Sequence, residues 1–349
     1  MKDSRAAVIG AFGYLTAVAI LDAALRTRVI LIGLLIIGPF VTARWASRRS
    51  TVAASIYSIA LGIVLAFPDG IWGTIDHVVR VLVLVAGGLV AVAFATLREE
   101  REEALQRIAH VADVAQKAIL RQPPPRLGPV AIAARYLSAA EEALIGGDLY
   151  ETAYTPYGVR IIVGDVRGKG LDAVGLAASV LSCFRENMIR ARTVGELAKL
   201  IDAHVASIVG LEEFVTAVLV ELPEGGGVQI VNCGHHPPLR IGDDDTSFLM
   251  TGEADRPLGL NPACVEQSFP LVGGERLLLY TDGLVEARND RGEEMSLAQA
   301  AALLREGSLE GAIDGLVARL LQHVGGRPAD DMAVLLAERV ENGAGAGAG

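Results

Sequence analysis

Four apolar runs crowd the first hundred residues of this 349-residue chain, and they restrict its possible folds more than any other feature. The runs cover residues 6–25, 29–43, 51–67 and 81–97 and are separated by short charged or turn-forming pieces. The first is close to the length that spans a hydrocarbon layer, and the shorter ones count as spans because they accompany it. A buried soluble helix bundle is the alternative, but few polar faces interrupt the runs. The sequence therefore predicts a transmembrane region of about four helices over residues 1–97.

Charge is divided unevenly between the two ends of the chain. Residues 1–100 hold nine Lys/Arg and six Asp/Glu, whereas residues 101–349 hold 22 and 35. A basic, apolar front and an acidic back are typical of a membrane anchor followed by a soluble domain. The acidic balance argues against a nucleic-acid partner, since phosphate neutralisation needs clustered Lys and Arg. Three cysteines without metal-type spacing fit reduced thiols in a cytosolic domain.

Basic residues set the expected orientation in the membrane. Arg44 and Arg48 fall between the second and third runs, and Arg98 follows the fourth. The positive-inside rule makes both places cytoplasmic. Arg26 and Arg28 conflict with a strict four-span scheme, because they would face outward. We therefore expect a multi-pass protein of the inner (plasma) membrane whose back half lies in the cytoplasm.

A charged segment with helical periodicity follows the last apolar run. It covers residues 97–120 and carries a heptad-like stripe of Leu97, Ala104, Ile108, Val111, Ala115 and Ala118. Two interpretations are open for this stripe. It can pair two chains as a short coiled coil and so form a homodimer, or it can pack as one amphipathic helix on its own domain.

Prolines and low-complexity sequence divide the rest of the chain. Pro123, Pro124 and Pro125 end the helical pattern. The expected organisation is then a helical linker over 98–122 and a soluble domain over 123–340. A Gly/Ala tail over 341–349 completes the chain and is expected to be disordered.

The soluble part mixes strand-like and helix-like segments, which indicates an α+β layered fold. Two of the strand-like runs are joined by a Gly-rich turn at 223–227, which is a hairpin signal. The strand-like runs cover 160–164, 214–222, 228–232, 276–280 and 332–336, and the helical patterns cover 171–191, 193–209, 296–306 and 309–324.

Aspartates recur in glycine-rich or strand-end context through this soluble part. They are Asp148 in GGD, Asp165 in GDVRGKG, Asp282 in YTDG, and Asp330 and Asp331 in ADDM. Each motif alone is typical of a turn. If the strand ends converge, however, the carboxylates gather around hard divalent cations, and two such cations can drive phosphoester hydrolysis. Asp165 is the best candidate to bridge two ions, because it ends an apolar strand and enters a loop with two further glycines.

Taken in order, the motifs resemble the metal-dependent PPM-type (protein phosphatase 2C-like) serine/threonine phosphatases, in their bacterial SpoIIE-like branch. The resemblance runs from about residue 120 to 340 and implies a β-sandwich flanked by helices, with two Mn²⁺ or Mg²⁺ ions at one end. The motifs that carry it are GGDLYE (146–151), GDVRGKGLDA (164–173), FVTAVLVEL (214–222), VNCGHHPPLRI (231–241), LLLYTDGLVEARN (277–289) and ADDMAVLL (329–336).

The resemblance also implies the roles of individual residues. Asp148, Asp165, Asp282 and Asp330 would be the catalytic metal ligands, and the backbone carbonyl of Val166 would join them. Asp331 is left open as a ligand or a supporting residue. No principal aspartate of the family is missing, which favours an active enzyme.

Three departures from the family pattern accompany the motifs. Glu151 stands where the family usually has Asp, and Cys233 stands where Ala is common. His236 is an additional histidine after His235, and the family turn indicates a structural role for this pair first.

The function implied is hydrolysis of phosphoserine or phosphothreonine on a regulatory protein, through a water activated by two metals. The family suggests a STAS-domain anti-anti-sigma factor as the substrate, in a pathway of sigma factor regulation. The alternative is a catalytically inactive, membrane-bound binding module for a partner-switching protein. A transporter is disfavoured, because the spans carry few ionisable residues.

Overall fold

The structure is a computed structural model, which describes residues 2–25, 31–67, 70–138, 146–210, 212–243, 245–252, 255–326, 328 and 330–340. The chain divides into two compact units, Met1–Gln106 and Arg107–Gly349. The predicted tail at 341–349 and the first residues of the second apolar run lie outside the described residues.

Helices make up the described part of the first unit. They are α1 (Lys2–Leu25), a 3₁₀ turn (Ile32–Ile36), α2 (Ile37–Trp45), α3 (Arg48–Leu65) and the beginning of α4 (Ile75–Ile119). Leu15, Leu35, Leu65 and Leu84 form a buried cluster between these helices. Gly38 lets α2 approach α1 closely, since a Cβ there would lie 2.6 Å from Leu15 Cγ.

Two helices among the described residues are long and apolar enough to cross a membrane. They are Ser4–Ala24, with a mean hydropathy of 1.8, and Ile75–Ile119, with its most apolar stretch at 2.5. The predicted runs 6–25 and 81–97 largely coincide with these helices, and Gly33–Trp45 is a shorter apolar helix. Large apolar side chains such as Leu89, 67% exposed, lie on their surfaces. The helices are candidate spans, and a four-span arrangement stays a prediction.

The predicted linker helix is the continuation of α4, which runs unbroken to Ile119. In the second unit, Ala112 of α4 packs against Val174. The last turns therefore pack on their own domain, as one of the two interpretations expects. Ile108 and Val111 are 45% and 55% exposed, and the homodimer that this stripe suggests stays a prediction.

The second unit is built around two antiparallel sheets. One sheet has the strand order β1-β2-β11-β10-β7-β8 and the other has the order β3-β4-β5-β6-β9. The strands and α-helices that follow α4 are, in chain order, β1 (Arg126–Leu127), β2 (Val130–Leu137), β3 (Leu149–Thr155), β4 (Gly158–Val166), α5 (Leu171–Asn187), α6 (Val194–Ile208), β5 (Val215–Leu222), β6 (Val228–Cys233), β7 (Leu239–Ile241), β8 (Thr246–Phe248), β9 (Gln267–Phe269), β10 (Arg276–Tyr280), α7 (Asp282–Val285), α8 (Leu297–Ala301), α9 (Leu309–His323) and β11 (Met332–Arg339).

Alternating side chains build the layers of this unit. Leu277 and Leu279 of β10 belong to the main core, which also draws on β4, β5, α5 and α6. Leu278, between them, belongs to a second cluster with Leu316 and other residues of α9. Successive residues of a strand point to opposite faces, so the first sheet is covered on one face by the second sheet and on the other by helices. The predicted β-sandwich flanked by helices is confirmed.

Most predicted segments of the second unit match the structure within a few residues. The hairpin prediction is confirmed, since β5 and β6 pair antiparallel with Val218 opposite Asn232. The predicted helix at 296–306 is divided into α8 and a 3₁₀ turn at Ala302–Leu304. The strands β1, β2, β3, β7, β8 and β9 have no counterpart among the predicted segments.

Candidate active site

Strand pairing brings the aspartate motifs to one end of the sandwich. β3 begins opposite the end of β4, with Leu149 paired to Gly164. In the other sheet β11 begins opposite the end of β10, with Tyr280 paired to Val334. Antiparallel pairing places the start of one strand beside the end of its neighbour. Residues just before β3 and β11 therefore meet residues at or just after the ends of β4 and β10.

Asp165 is the last residue but one of β4 and pairs with Thr216 of β5. Burial first, and then the negative charges of Asp282, Asp330 and Asp331, raise the pKa of its carboxyl group to about 7. The positive charge of Lys169 acts in the opposite direction. Asp165 is therefore a partly buried carboxylate surrounded by others of the same charge.

Asp148 is 2% exposed and is held by the neighbouring sheet. Its Oδ2 accepts a hydrogen bond of 2.8 Å from the hydroxyl of Thr281. Its backbone carbonyl accepts one of 3.1 Å from the side-chain amide of Gln116 in α4. Burial, followed by the charge of Asp165, raises the pKa of the Asp148 carboxyl group well above its ordinary value. The side chain is thus fixed in place, and the ionised form of its carboxyl group is destabilised.

Two glycines allow the backbone to close around these carboxylates. A Cβ on Gly147 would lie 2.8 Å from the carbonyl oxygen of Val166, and one on Gly283 would lie 1.9 Å from that of Asp331. Any side chain at either position would force the strands apart. The GGD and TDG motifs therefore need their glycines for close approach.

Asp330 and Asp331 point to different partners. Asp330 accepts hydrogen bonds of 3.0 and 3.1 Å from Lys169 Nζ, and its side chain is 44% exposed. Asp331 is 2% exposed, and its Oδ2 accepts bonds of 2.7 Å from Tyr136 Oη and from the Gly146 amide. Asp331 therefore ties β2 and the GGD turn to the start of β11.

Asp282 begins α7 directly after β10 and faces a cleft of about 220 Å³. The cleft is also lined by Asp165, Thr216, His236 and Glu286. Burial raises the pKa of the Asp282 carboxyl group, and the charge of Asp330 adds to the effect. Two of the predicted site residues thus share one water-accessible opening.

His235 forms the back of this cleft rather than a free base. Its Nε2 lies 3.0 Å from the carbonyl oxygen of Tyr280, and its Nδ1 lies 3.0 Å from the hydroxyl of Thr216. Burial lowers the pKa of the imidazole to about 3. The ring is neutral, donates from Nε2 and accepts at Nδ1, so it connects β10 to β5.

The donor chemistry of the cluster suits hard divalent cations. Carboxylate oxygens are the ligands that Mg²⁺ and Mn²⁺ prefer, and buried carboxylates that repel one another are stabilised by a cation between them. Across the part of the chain that the structure describes, no three His, Cys, Asp or Glu side chains are already arranged to hold an ion. Asp330 is engaged by Lys169 and Asp148 by Thr281. The residue types fit the cations, while carboxylate oxygens of Asp148 and Asp330 contact protein donors.

The structure brings all the predicted site residues to one end of the sandwich. They are Asp148, Asp165, Val166, Asp282, Asp330 and Asp331, and their roles as ligands stay predictions. Thr281 and Tyr136, which hold Asp148 and Asp331, are not among the predicted residues. The position of Thr281 between a strand and a helix start is a signal that could have identified it, whereas Tyr136 lies on a strand without a clear pattern.

Glu151, the departure from the family pattern, lies away from the cleft in an ion pair. Its Oε2 is 2.5 Å from the guanidinium of Arg185 in α5. Arg185 also donates a 3.3 Å hydrogen bond to the carbonyl oxygen of Ile119 at the end of α4. The pair connects β3, α5 and α4.

Similarity to known families is an independent observation on this site. A family model described as Stage II sporulation protein E (SpoIIE) matches residues 155–340, which is more than half of the chain. Asp165, Asp282, Asp330 and Asp331 lie inside the matched range, and Asp148 lies just before it.

Solved structures with the same fold extend this comparison. The RsbU and RsbW domains of Rv1364c from Mycobacterium tuberculosis are 28% identical, with a TM-score of 0.54 and 60% of each chain covered. The SiaA-PP2C domain of Pseudomonas aeruginosa is 20% identical, with a TM-score of 0.56, and the match covers 71% of this chain and 100% of that one. The PP2C phosphatase domain of SpoIIE from Bacillus subtilis is 17% identical, with a TM-score of 0.50 over 60% and 63% of the two chains. The chain thus spans only 60% of the length of the Rv1364c structure.

Proposed function

Because the chain belongs to the SpoIIE family, whose fold is that of PP2C-like protein phosphatases, we propose that it hydrolyses phosphoserine or phosphothreonine on a regulatory protein with the help of divalent cations. The observation that carries the proposal is the convergence of five aspartates, from four separate places in the sequence, at one end of the sandwich. Burial and the negative charges of neighbouring aspartates raise the pKa values of Asp148, Asp165 and Asp282, and a purely structural end of a sheet has no need of that cost.

The cations would be held by Asp148, Asp165, Asp282 and Asp330, with the carbonyl of Val166 nearby. When bound, Mn²⁺ or Mg²⁺ neutralises phosphoryl oxygens and makes water a stronger nucleophile. Asp165 has the most central position, since the charges of Asp282, Asp330 and Asp331 all act on it. We assign the bridging role to it for this reason.

The remaining residues orient these carboxylates and shape the cleft. Thr281 fixes Asp148, and His235 holds Thr216 and the end of β10.

In the reaction the water oxygen forms a bond to phosphorus while the bond from phosphorus to the serine or threonine oxygen breaks. The side-chain oxygen leaves with a proton, and inorganic phosphate is the second product.

We infer the substrate class from the family resemblance and from the domains of a similar structure. The Rv1364c structure joins an RsbU domain to an RsbW domain, and its sequence is 28% identical to this chain over the matched part. This supports a phosphorylated STAS-domain anti-anti-sigma factor as the substrate. The apolar helices Ser4–Ala24 and Ile75–Ile119 support tethering to the membrane. We place the phosphatase domain in the cytoplasm by the positive-inside rule, because Arg98 follows the last apolar run.

Turnover of an aryl phosphate in the presence of Mn²⁺ tests the phosphatase activity. We expect Asp165→Asn to lower kcat by at least about a hundredfold, because the variant loses a charge at the centre of the cluster. Asp290→Asn, an exposed aspartate in the loop after α7, is the matched control and should keep full activity. Addition of EDTA should abolish turnover by the wild-type protein.

The competing function is a binding module without catalysis. It is favoured if the metal-loaded protein turns over neither an aryl phosphate nor a phosphorylated STAS-domain protein. Binding of the STAS protein to both the wild type and Asp165→Asn, without release of phosphate, would then replace the phosphatase proposal.

A further inference from the structure

An apolar groove adjoins the candidate active-site cleft. It measures about 380 Å³ and lies between the β7–β8 hairpin, α7 and the start of α8. Phe248, Met250, Val285 and Leu297 supply its apolar lining. It is built from elements that carry none of the site aspartates except Asp282 at the start of α7.

The hairpin presents two large apolar side chains to solvent beside this groove. Phe248 is 46% exposed and Met250 is 59% exposed, whereas Leu249 between them is 5% exposed. The amide of Leu249 donates to the carbonyl of Pro238 at 2.8 Å, and the amide of Met250 donates to the carbonyl of Phe248 at 3.1 Å, so the chain makes a tight turn at Leu249. Phe248 and Met250 flank this turn, and both side chains line the groove. Apolar side chains that share an exposed face are typical of an interaction surface.

The groove is continuous with the cleft. His236, Pro237 and Glu286 line both of them. A substrate segment whose phosphorylated residue lies at Asp165 and Asp282 would have its neighbouring residues along this groove. Resting on the phosphatase function proposed above, we propose that the groove binds an apolar residue that flanks the phosphoserine or phosphothreonine of the protein substrate.

Charge helps to choose this occupant over a second copy of the chain. Glu286 and Glu294 line the groove, and the whole chain has a net charge of −10. Two acidic copies repel each other, and a copy seated here would block the cleft. A substrate segment that is apolar and free of acidic residues next to the phosphoresidue meets neither obstacle.

Synthetic phosphoserine peptides of equal length and equal net charge test the groove. Each peptide of the series carries a single Leu or Phe at one position on either side of the phosphoserine and Ser at the other positions. The reference peptide has Ser at every position around the phosphoserine. We expect one position to raise kcat/KM about tenfold over the reference peptide, mainly through KM. Equal kcat/KM for every peptide would overturn the proposal.

The double variant Phe248→Ser/Met250→Ser locates the preference. It should lower kcat/KM for the preferred peptide to that of the reference peptide and leave turnover of an aryl phosphate unchanged. Val272→Ser is the matched control, because Val272 is an apolar residue that is 61% exposed near the opposite end of the sandwich. Retention of the full peptide preference by the double variant would contradict the assignment.

The two proposals fail in different ways. If the wild-type protein does not turn over the aryl phosphate, the phosphatase function itself is wrong. If it does, and the double variant behaves as the wild type does with all peptides, only the docking groove is wrong. Unchanged aryl phosphate turnover by the double variant also shows that it is folded.

Discussion

His235 illustrates how a histidine beside a cluster of acids can be structural. Both of its ring nitrogens are occupied, by the carbonyl of Tyr280 and the hydroxyl of Thr216. Its backbone amide also donates to Asn232 Oδ1 at 2.7 Å. Protonation at Nδ1 would place a second donor against the Thr216 hydroxyl in a buried position. The turn thus depends on a neutral ring.

This dependence predicts a loss of stability in acid. The folded pKa of His235 is lowered to about 3 from an ordinary value of 6.5, so between these two values only the unfolded chain takes up the proton. The free energy of unfolding should therefore fall as the pH drops from 6.5 toward 3, by about 1 kcal/mol at pH 5.5 from this residue. His235→Gln should show a shallower decline between pH 7.5 and 5.5 in urea unfolding experiments.

The variant His323→Gln controls for other titrating groups, since His323 lies at the end of α9, away from the cleft. It should follow the wild-type decline. An identical pH dependence for His235→Gln and the wild type would mean that the ring is protonated without cost in the folded protein.

At the scale of elements, polar contacts made by Gln116 and Arg185 join the end of α4 to the rest of the second unit. Gln116 donates to the carbonyl of Asp148, and Arg185 connects Ile119 to Glu151. Glu151 is 9% exposed, so its charge depends on Arg185 for compensation. A longer Glu at a position where the family usually has Asp thus has a defined partner in this chain.

A double-mutant cycle measures this ion pair. Arg185→Met should destabilise the protein by about 2 kcal/mol, because it leaves a mostly buried carboxylate without its partner. Glu151→Gln alone should cost about 1 kcal/mol, and Glu151→Gln/Arg185→Met should also cost only about 1 kcal/mol, so the coupling energy is about 2 kcal/mol in urea unfolding. Arg305→Met, which removes an exposed hydrogen bond to Thr246, is the control and should cost less than about 0.5 kcal/mol. Additive effects of the two substitutions would show that the pair is not coupled.

The predictability of each element follows from how its residues are buried. The central strand β5 is an almost continuous apolar run, and the amphipathic helices α6 and α9 carry long periodic patterns. The predicted bounds of all three agree with the structure within about two residues. The short strands β7, β8 and β9, of three residues each, are set by their pairing partners rather than by a local pattern. β3 is hidden in the sequence because Leu149, Tyr150 and Glu151 are all buried, which removes the alternation.

The same limit applies to the candidate site. The recurring Gly-Asp motifs identify which aspartates come together, because these motifs mark the ends of strands. They do not identify Lys169 as the partner of Asp330 or Tyr136 as the partner of Asp331, since these pairs are 161 and 195 residues apart. Such partners depend on the order of strands in the sheets, which no local pattern contains.

At the scale of the whole molecule, the two compact units differ in surface character. The second unit buries most of its large apolar residues in two main clusters, whereas helices of the first unit leave Ile9, Ile20 and Leu89 exposed by 72%, 66% and 67%. Apolar surface of this extent is stable in contact with lipid and costly in water. The contrast predicts different solvents for the two units, lipid for the first and water for the second.

Cell fractionation of two forms of the chain tests this difference. The full-length protein should sediment with membranes and resist extraction by high salt and alkaline carbonate, because its apolar helices would be held by lipid rather than by surface charge. A form beginning at residue 107 should stay in the supernatant, since it lacks the exposed apolar helices but keeps both clusters of the second unit. It should also turn over an aryl phosphate with Mn²⁺, because all five aspartates of the site lie in this unit. Release of the full-length protein by salt alone would mean that the first unit does not span the membrane.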